Sequence, residues 1–144
     1  MFTWDVFIHP TKYHDMSFLE IHNVKIKGIS ACVPSRVEET KDYSLMTEEE
    51  IQKYISSTGV IRKHRVKETQ CTSDLCFVAA EKLISDLGWD KSEIGLLVFV
   101  YHTGDYKLPS TSCTLQQRLG LPTSCMAFDI NHGCSGYLYG LSII

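Results

Sequence analysis

Cys134 lies in a Gly-Cys-Ser-Gly turn, Gly133 to Gly136, between the apolar stretch Met126–Ile130 and the helix-like run "YLYGLSII". A cysteine between a strand end and a helix start sits where backbone N–H groups lack intrahelical partners and where the helix dipole favours an anion. The thiolate is the nucleophilic form of cysteine, and such positions draw a thiol down from its usual pKa of about 8.5. The same N–H groups can hold the oxyanion that forms when a thioester is attacked. Gly133 and Gly136 are expected to let the backbone turn sharply and a substrate approach. The turn alone leaves a second reading open, a tight strand-to-helix connection around a buried cysteine. A third, the nucleophile elbow of α/β-hydrolases, asks for glycine two residues before the nucleophile. That position holds His132, so the elbow fits less well.

The other chemistry-bearing residues are more dispersed. There are six cysteines and six histidines. They form no CxxC pair and no Cys/His spacing of the zinc-binding kind, so no metal site is expected. Cys32, Cys76, Cys113 and Cys125 stand in apolar neighbourhoods and are expected to be small buried hydrophobes of a reducing compartment. Among the histidines only His132 stands beside the turn.

The elements that must hold the turn follow from pattern. A strand is expected over Val24–Val33, ended by Pro34. Thr47 and Glu50 have capping-box spacing, with Met46 and Ile51 as the flanking hydrophobic staple. The helix they start carries Ile51, Tyr54 and Ile55 on one stripe and closes at Ser57–Gly59. A second helix runs from about Ser73 to Leu87, capped by Thr72 or Ser73, with Cys76, Ala79, Ala80, Leu83, Ile84 and Leu87 on one face and Gly88 at its end. "GLLVFVY" (Gly95 to Tyr101) is apolar without alternation, the mark of a strand buried on both faces. A helix over about Ser110–Leu119, the strand at Met126 and a final helix complete the order. Long spacers between apolar strands favour a parallel sheet covered by helices. Three strands and a final helix of few residues suggest an incomplete domain. Residues 1–15 are aperiodic and read as an atypical extension or a misplaced start, leaving 16–144 as the folded part.

Composition narrows the classes of function. The chain has 144 residues, 44% of them hydrophobic, which suffices for a core, and a net charge of −3. The one basic run, "IRKHRVK" (Ile61 to Lys67), is balanced by acids on either side and reads as a solvated edge of a loop or strand. Nucleic acid is therefore not an expected partner. The longest apolar stretch is far below the ~20 residues of a membrane span. The N-terminus lacks the charge and apolar order of a secretory signal, so a cytoplasmic protein is expected.

From Val24 to Ile144 the chain resembles the N-terminal part of β-ketoacyl-acyl carrier protein synthase III, in the thiolase-like condensing-enzyme superfamily. Five pieces in order carry the resemblance: "GISACVPSRV", "STGV", "TSDLCFVAAEKLISDLGWDKSEIGLLVFV", "DYKLPSTSCTLQQRLGLP" and "AFDINHGCSGYLYGL". The last is similar to the family's active-site cysteine motif and sets Cys134 at the nucleophile. The resemblance implies an α/β, thiolase-like layered fold, here its N-terminal half, with a parallel or mixed sheet covered by helices. It implies an acyltransferase of fatty-acid biosynthesis: a cysteine acyl-enzyme, then decarboxylative condensation with malonyl-carrier protein, with the Cys134 N–H in the oxyanion hole. No bound cofactor is implied; acyl-CoA or acyl-carrier protein is the substrate, acyl carrier protein the partner and a homodimer the assembly. Leu108, before "PS", corresponds to an acyl-pocket residue lent across the dimer, and Thr58, in the "TG" step, to a contact with pantetheine or nucleotide. Lys53 and Ser57 stand where the family often has tryptophan and arginine, which favours a carrier-bound primer over CoA. The family's histidine and asparagine of condensation belong to the second half of the subunit, so this chain alone is expected to be inactive. Two other readings remain open: a non-decarboxylating condensing or acyl-shuttling relative, and a truncated, non-catalytic chain.

Overall fold

The computed structural model describes residues 20–144. The stretch 1–15 set apart above, and Met16, lie outside the described residues.

Eight regular elements follow in order: β1 (Arg36–Glu39), α1 (Glu48–Thr58), β2 (Arg62–Arg65), α2 (Thr72–Leu87), β3 (Leu96–Tyr101), α3 (Thr111–Leu119), β4 (Met126–Asn131) and α4 (Gly136–Ile143). Short 3₁₀ turns at Thr40–Asp42 and Lys91–Glu93 complete them. The strands form two pairs. β3 and β4 are parallel, in register from Leu96 opposite Met126 to Tyr101 opposite Asn131. β1 and β2 are antiparallel, from Arg36 opposite Arg65 to Glu39 opposite Arg62.

The β1–β2 pair was not expected as such. Its residues, RVEE and RKHR, have no apolar face, so alternation could not announce them. Charge replaces it: Glu38 accepts across the pair from Arg65 Nε and along β1 from Arg36 Nη2, each at 2.8 Å. Buried Thr40 closes the pair, donating its N–H to Ile61 O and its hydroxyl to Val60 O, both at 2.8 Å.

The strand expected over Val24–Val33 is absent: residues 24–33 carry no regular secondary structure. Their apolar side chains Val24, Ile26, Ile29 and Val33 are exposed. Pattern marks residues that suit a sheet, but a strand also needs a neighbour's free N–H and C=O groups. Among the described residues no strand edge pairs with this segment. It rests instead on α2 through Gly28, where a Cβ would come within 2.9 Å of Leu83 Cδ1.

α1 begins as its sequence requires. Glu50 accepts the Thr47 N–H at 2.8 Å, and Thr47 Oγ1 accepts the Glu50 N–H at 3.3 Å. It ends at Gly59, φ 72°. α2 ends at Gly88 as expected, but its N-cap is Cys71 rather than Thr72 or Ser73. Asp74 explains the shift, accepting the Cys71 N–H at 2.9 Å. Ser73, the alternative cap, is buried with its hydroxyl accepting from Arg118 Nη1 at 3.0 Å.

The Asp74 carboxyl is held below the ordinary carboxylate range, first by the Cys71 N–H and then by Arg118, whose Nη2 lies 2.9 Å away; partial burial opposes this. A lowered native pKa gives stability that is complete above the unfolded carboxylate's value and is lost as pH falls through the native one. We therefore expect Asp74→Asn to melt below the wild type near neutral pH, with the gap closing as pH drops below about 4. Thermal unfolding followed by circular dichroism from pH 7 to pH 3 measures it; a gap independent of pH would contradict the assignment.

The core is Phe99, Leu115, Leu119, Leu121 and Cys125, with Cys76, Phe77, Ala80, Ile94, Leu97 and Tyr101 packed round it. Adjacent strand residues face opposite sides of a sheet. Phe99 meets α3 on one side. Val100 meets α4 on the other, where Cβ atoms at Gly136 or Gly140 would lie 2.8 Å from its methyls. The parallel pair is thus a middle layer between α2/α3 and α4. β3 was expected to be buried on both faces; only Phe99 is fully buried, and the rest of the strand is half-buried.

Candidate active site

Parallel strands put their C-terminal ends at one edge, where α/β folds carry their sites. Two connections leave this edge. The β3–α3 loop, residues 102–110, contains Leu108; the β4–α4 turn contains Cys134.

The loop is pinned at its base. Asp105 Oδ1 accepts the Ser73 N–H of α2 at 3.3 Å, and its own N–H donates to Thr111 Oγ1 of α3 at 3.4 Å. α3 begins at Thr111, and the side chain of its N-cap Ser110 makes no capping bond. Asp129 of β4 caps the helix instead. Its two carboxylate oxygens accept the Thr111 and Ser112 N–H groups at 2.9 and 2.8 Å. Phe99 and Asp129 are register partners, so the strand that leads to Cys134 also fixes the helix that ends the loop. Leu108, by contrast, is 85% exposed.

The turn is tight. Gly136 donates its N–H to Gly133 O at 2.8 Å, and Ser135 O accepts the N–H groups of Leu138 and Tyr139 at 3.0 and 3.2 Å. Ser135 is the N-cap of α4, so Cys134 immediately precedes the cap. The Cys134 side chain is exposed, which removes the reading of a connection built around a buried cysteine. Its backbone N–H has no acceptor among the described residues. His132 N–H ties the strand end to Tyr101 O of β3 at 3.1 Å. The His132 ring reaches forward, with Nε2 2.9 Å from Ser135 Oγ, and meets the Tyr139 ring edge-on at 4.9 Å.

Neither Gly133 nor Gly136 is among the residues with positive φ. Gly136 is needed for closeness, since a Cβ there would lie 2.8 Å from Val100 and 3.2 Å from His132 Cβ. Gly140, one helical turn on, repeats the contact with Val100 and was missed in the sequence; its i, i+4 spacing from Gly136 was the available signal. The His132–Ser135 contact was also missed.

Thr58 lies on another element. It ends α1, where its exposed hydroxyl donates to Tyr54 O at 2.7 Å and accepts the Val60 N–H at 3.2 Å. Of the four cysteines expected to be buried, Cys125 is buried, Cys32 and Cys76 are half-buried and Cys113 is exposed. Burial pushes the Cys76 and Cys125 thiols up, with the Asp105 charge adding to the effect at Cys76. Among the described residues no three His, Cys, Asp or Glu side chains cluster in a way that could hold a metal ion. No helix of the described residues is long and apolar enough to cross a membrane.

No protein-family model matches the chain. It is 38% identical over 119 residues to the beta-ketoacyl-[acyl-carrier-protein] synthase III of Xanthomonas campestris pv. campestris, strain 8004, an alignment covering 83% of the chain and 36% of that protein. The synthase III 1 of Vibrio vulnificus is 33% identical over 119 residues, covering 83% of the chain and 37% of that protein. Among solved structures, a 3-oxoacyl-(acyl-carrier protein) synthase from Burkholderia xenovorans LB400 superposes with a TM-score of 0.75 and 37% identity, over 80% of the chain and 34% of its own. The chain thus spans about a third of the length of the curated relatives it matches.

Proposed function

We propose, for a chain that belongs with the β-ketoacyl-[acyl-carrier-protein] synthase III proteins over the residues it shares with them and carries part of their thiolase-like fold, that Cys134 is the acyl-accepting nucleophile of a condensing enzyme. The observation that carries this reading is an exposed cysteine directly ahead of the α4 cap, at the C-terminal edge of the parallel strands. Its sulfur attacks the carbonyl carbon of an acyl thioester. A new S–C bond forms, the carrier thiol leaves, and the transient oxyanion takes the unclaimed Cys134 N–H. Malonyl-carrier protein then loses carbon dioxide, and the resulting carbanion attacks the enzyme thioester. Sulfur leaves as the thiolate and a 3-oxoacyl-carrier protein is released.

Acyl carrier protein is the proposed partner. The primer arrives on CoA or on a carrier; Lys53 and Ser57, both exposed, favour the carrier. Exposed Leu108 suits an acyl pocket completed across a homodimer, since a bulky apolar side chain in water gains by being covered. Thr58 is the weaker assignment, because its hydroxyl already serves the end of α1. The proposed setting is the cytoplasm, where the six free thiols stay reduced.

The test is release of labelled carbon dioxide from malonyl-carrier protein by the full-length protein, with and without an acyl primer. Primer-dependent release with formation of 3-oxoacyl product supports decarboxylative condensation. Product without carbon dioxide points to the non-decarboxylating alternative, and no product from any primer contradicts both.

A further inference from the structure

Serine at a helix N-cap ordinarily turns its hydroxyl to accept an N–H of the first turn. Ser135 does not: its backbone is helical, at φ −83° and ψ −4°, its side chain caps no helix N–H, and its Oγ lies 2.9 Å from His132 Nε2. His132 is itself held from three sides. Its N–H is bonded to Tyr101 O, its ring packs edge-on against Tyr139 one turn into α4, and its Cβ lies where only a glycine at 136 leaves room. Residues 132 and 135 flank Cys134, so the bond spans the nucleophile's turn like a brace.

We infer that His132 is a positioning residue: its bond to the Ser135 hydroxyl spans Cys134 and fixes the turn that presents the sulfur and the Cys134 N–H to a thioester. The inference rests on Cys134 being the nucleophile. His132 touches no reacting atom in this role. Whichever of the two groups supplies the hydrogen, the bond needs a nitrogen at Nε2 and a hydroxyl at 135.

The experiment measures, in the full-length protein, the rate of alkylation at Cys134 by iodoacetamide from pH 5 to pH 10, read by peptide mapping, and beside it kcat and KM for acyl transfer. His132→Ala is expected to slow alkylation at Cys134 about tenfold, the factor that ~1.4 kcal/mol gives. It should lower kcat with KM little changed. His132→Gln, which can present an amide nitrogen to Ser135, should recover part of the loss. Ser135→Ala removes the other end of the same brace. It should cost about as much as His132→Ala, and adding His132→Ala to it should cost little more. A wild-type alkylation rate in a folded His132→Ala variant would overturn the inference. So would a loss that Gln does not relieve and that Ser135→Ala does not mask. If wild-type Cys134 accepts no acyl group, the nucleophile assignment itself fails; if it does so and His132→Ala behaves identically, only the positioning role fails.

Discussion

Cys134→Ala is expected to abolish the proposed acyl transfer in the full-length protein, by about 10³-fold or more, and to leave the fold unchanged. Removing a covalent nucleophile takes away the whole acyl-enzyme route, and losses of this order or greater are found when such a residue is deleted. The fold should not notice. The side chain is exposed, and the turn is closed by backbone bonds from Gly136 to Gly133 and from Leu138 and Tyr139 to Ser135. Cys134→Ser is expected to resemble alanine, since a hydroxyl held by the same amides is not ionised near neutral pH. Transfer activity measured with an acyl thioester, beside far-ultraviolet circular dichroism, separates the effects. An alanine variant that keeps its transfer rate would exclude position 134 as nucleophile. A variant that loses both activity and fold would show the turn to be structural.

Asp129→Ala is expected to be the most destabilising of the single changes considered, at about 2–4 kcal/mol. Its two oxygens accept the N–H groups of Thr111 and Ser112, both residues fully buried. Alanine would leave both donors without a partner and would remove the two hydrogen bonds that tie β4 to the start of α3. The α3 N-cap residue, Ser110, makes no side-chain bond that could take over. Asp129→Asn should recover part of the loss, because its single amide oxygen can accept from one of the two. Urea unfolding with an unchanged slope provides the measurement. The consequence for function is indirect: the β3–α3 loop is pinned through Asp105 to Thr111, so a frayed α3 also loosens the loop that carries Leu108. An unfolding free energy within 0.5 kcal/mol of wild type, in the general range of a surface change, would contradict this account of the helix start.

How far the sequence could be read follows from what holds each element. Helices carry their own hydrogen bonds, so caps and stripes suffice. The Thr47–Glu50 box and the closing glycines Gly59, Gly88 and Gly120 are where local chemistry sets them. β3 and β4 were legible because they are apolar and separated by a helix-length spacer. The β1–β2 pair was not, because it is held by Glu38 between two arginines rather than by an apolar face. Residues 24–33 show the converse: an apolar pattern with no strand edge among the described residues to pair with. The helix period, applied strictly, would have placed Cys113 correctly. Leu115 and Leu119 share the buried stripe of α3, and Cys113, two residues before Leu115, lies off it.

The same division applies to the site. Cys134 stood out because of its neighbours in the chain. The brace across it did not, because a His–Ser contact at i, i+3 has meaning only once the turn between them is closed. Gly140 was silent for a similar reason: its role depends on Val100, forty residues earlier and on another element.

The most direct test of the central claim is the mass of the protein after brief exposure to an acyl thioester. The account predicts a covalent adduct of one acyl group, carried by the peptide that contains Cys134, removable by hydroxylamine and absent from Cys134→Ala. An adduct on another residue, or none on a folded full-length protein given both CoA-bound and carrier-bound primers, would contradict it.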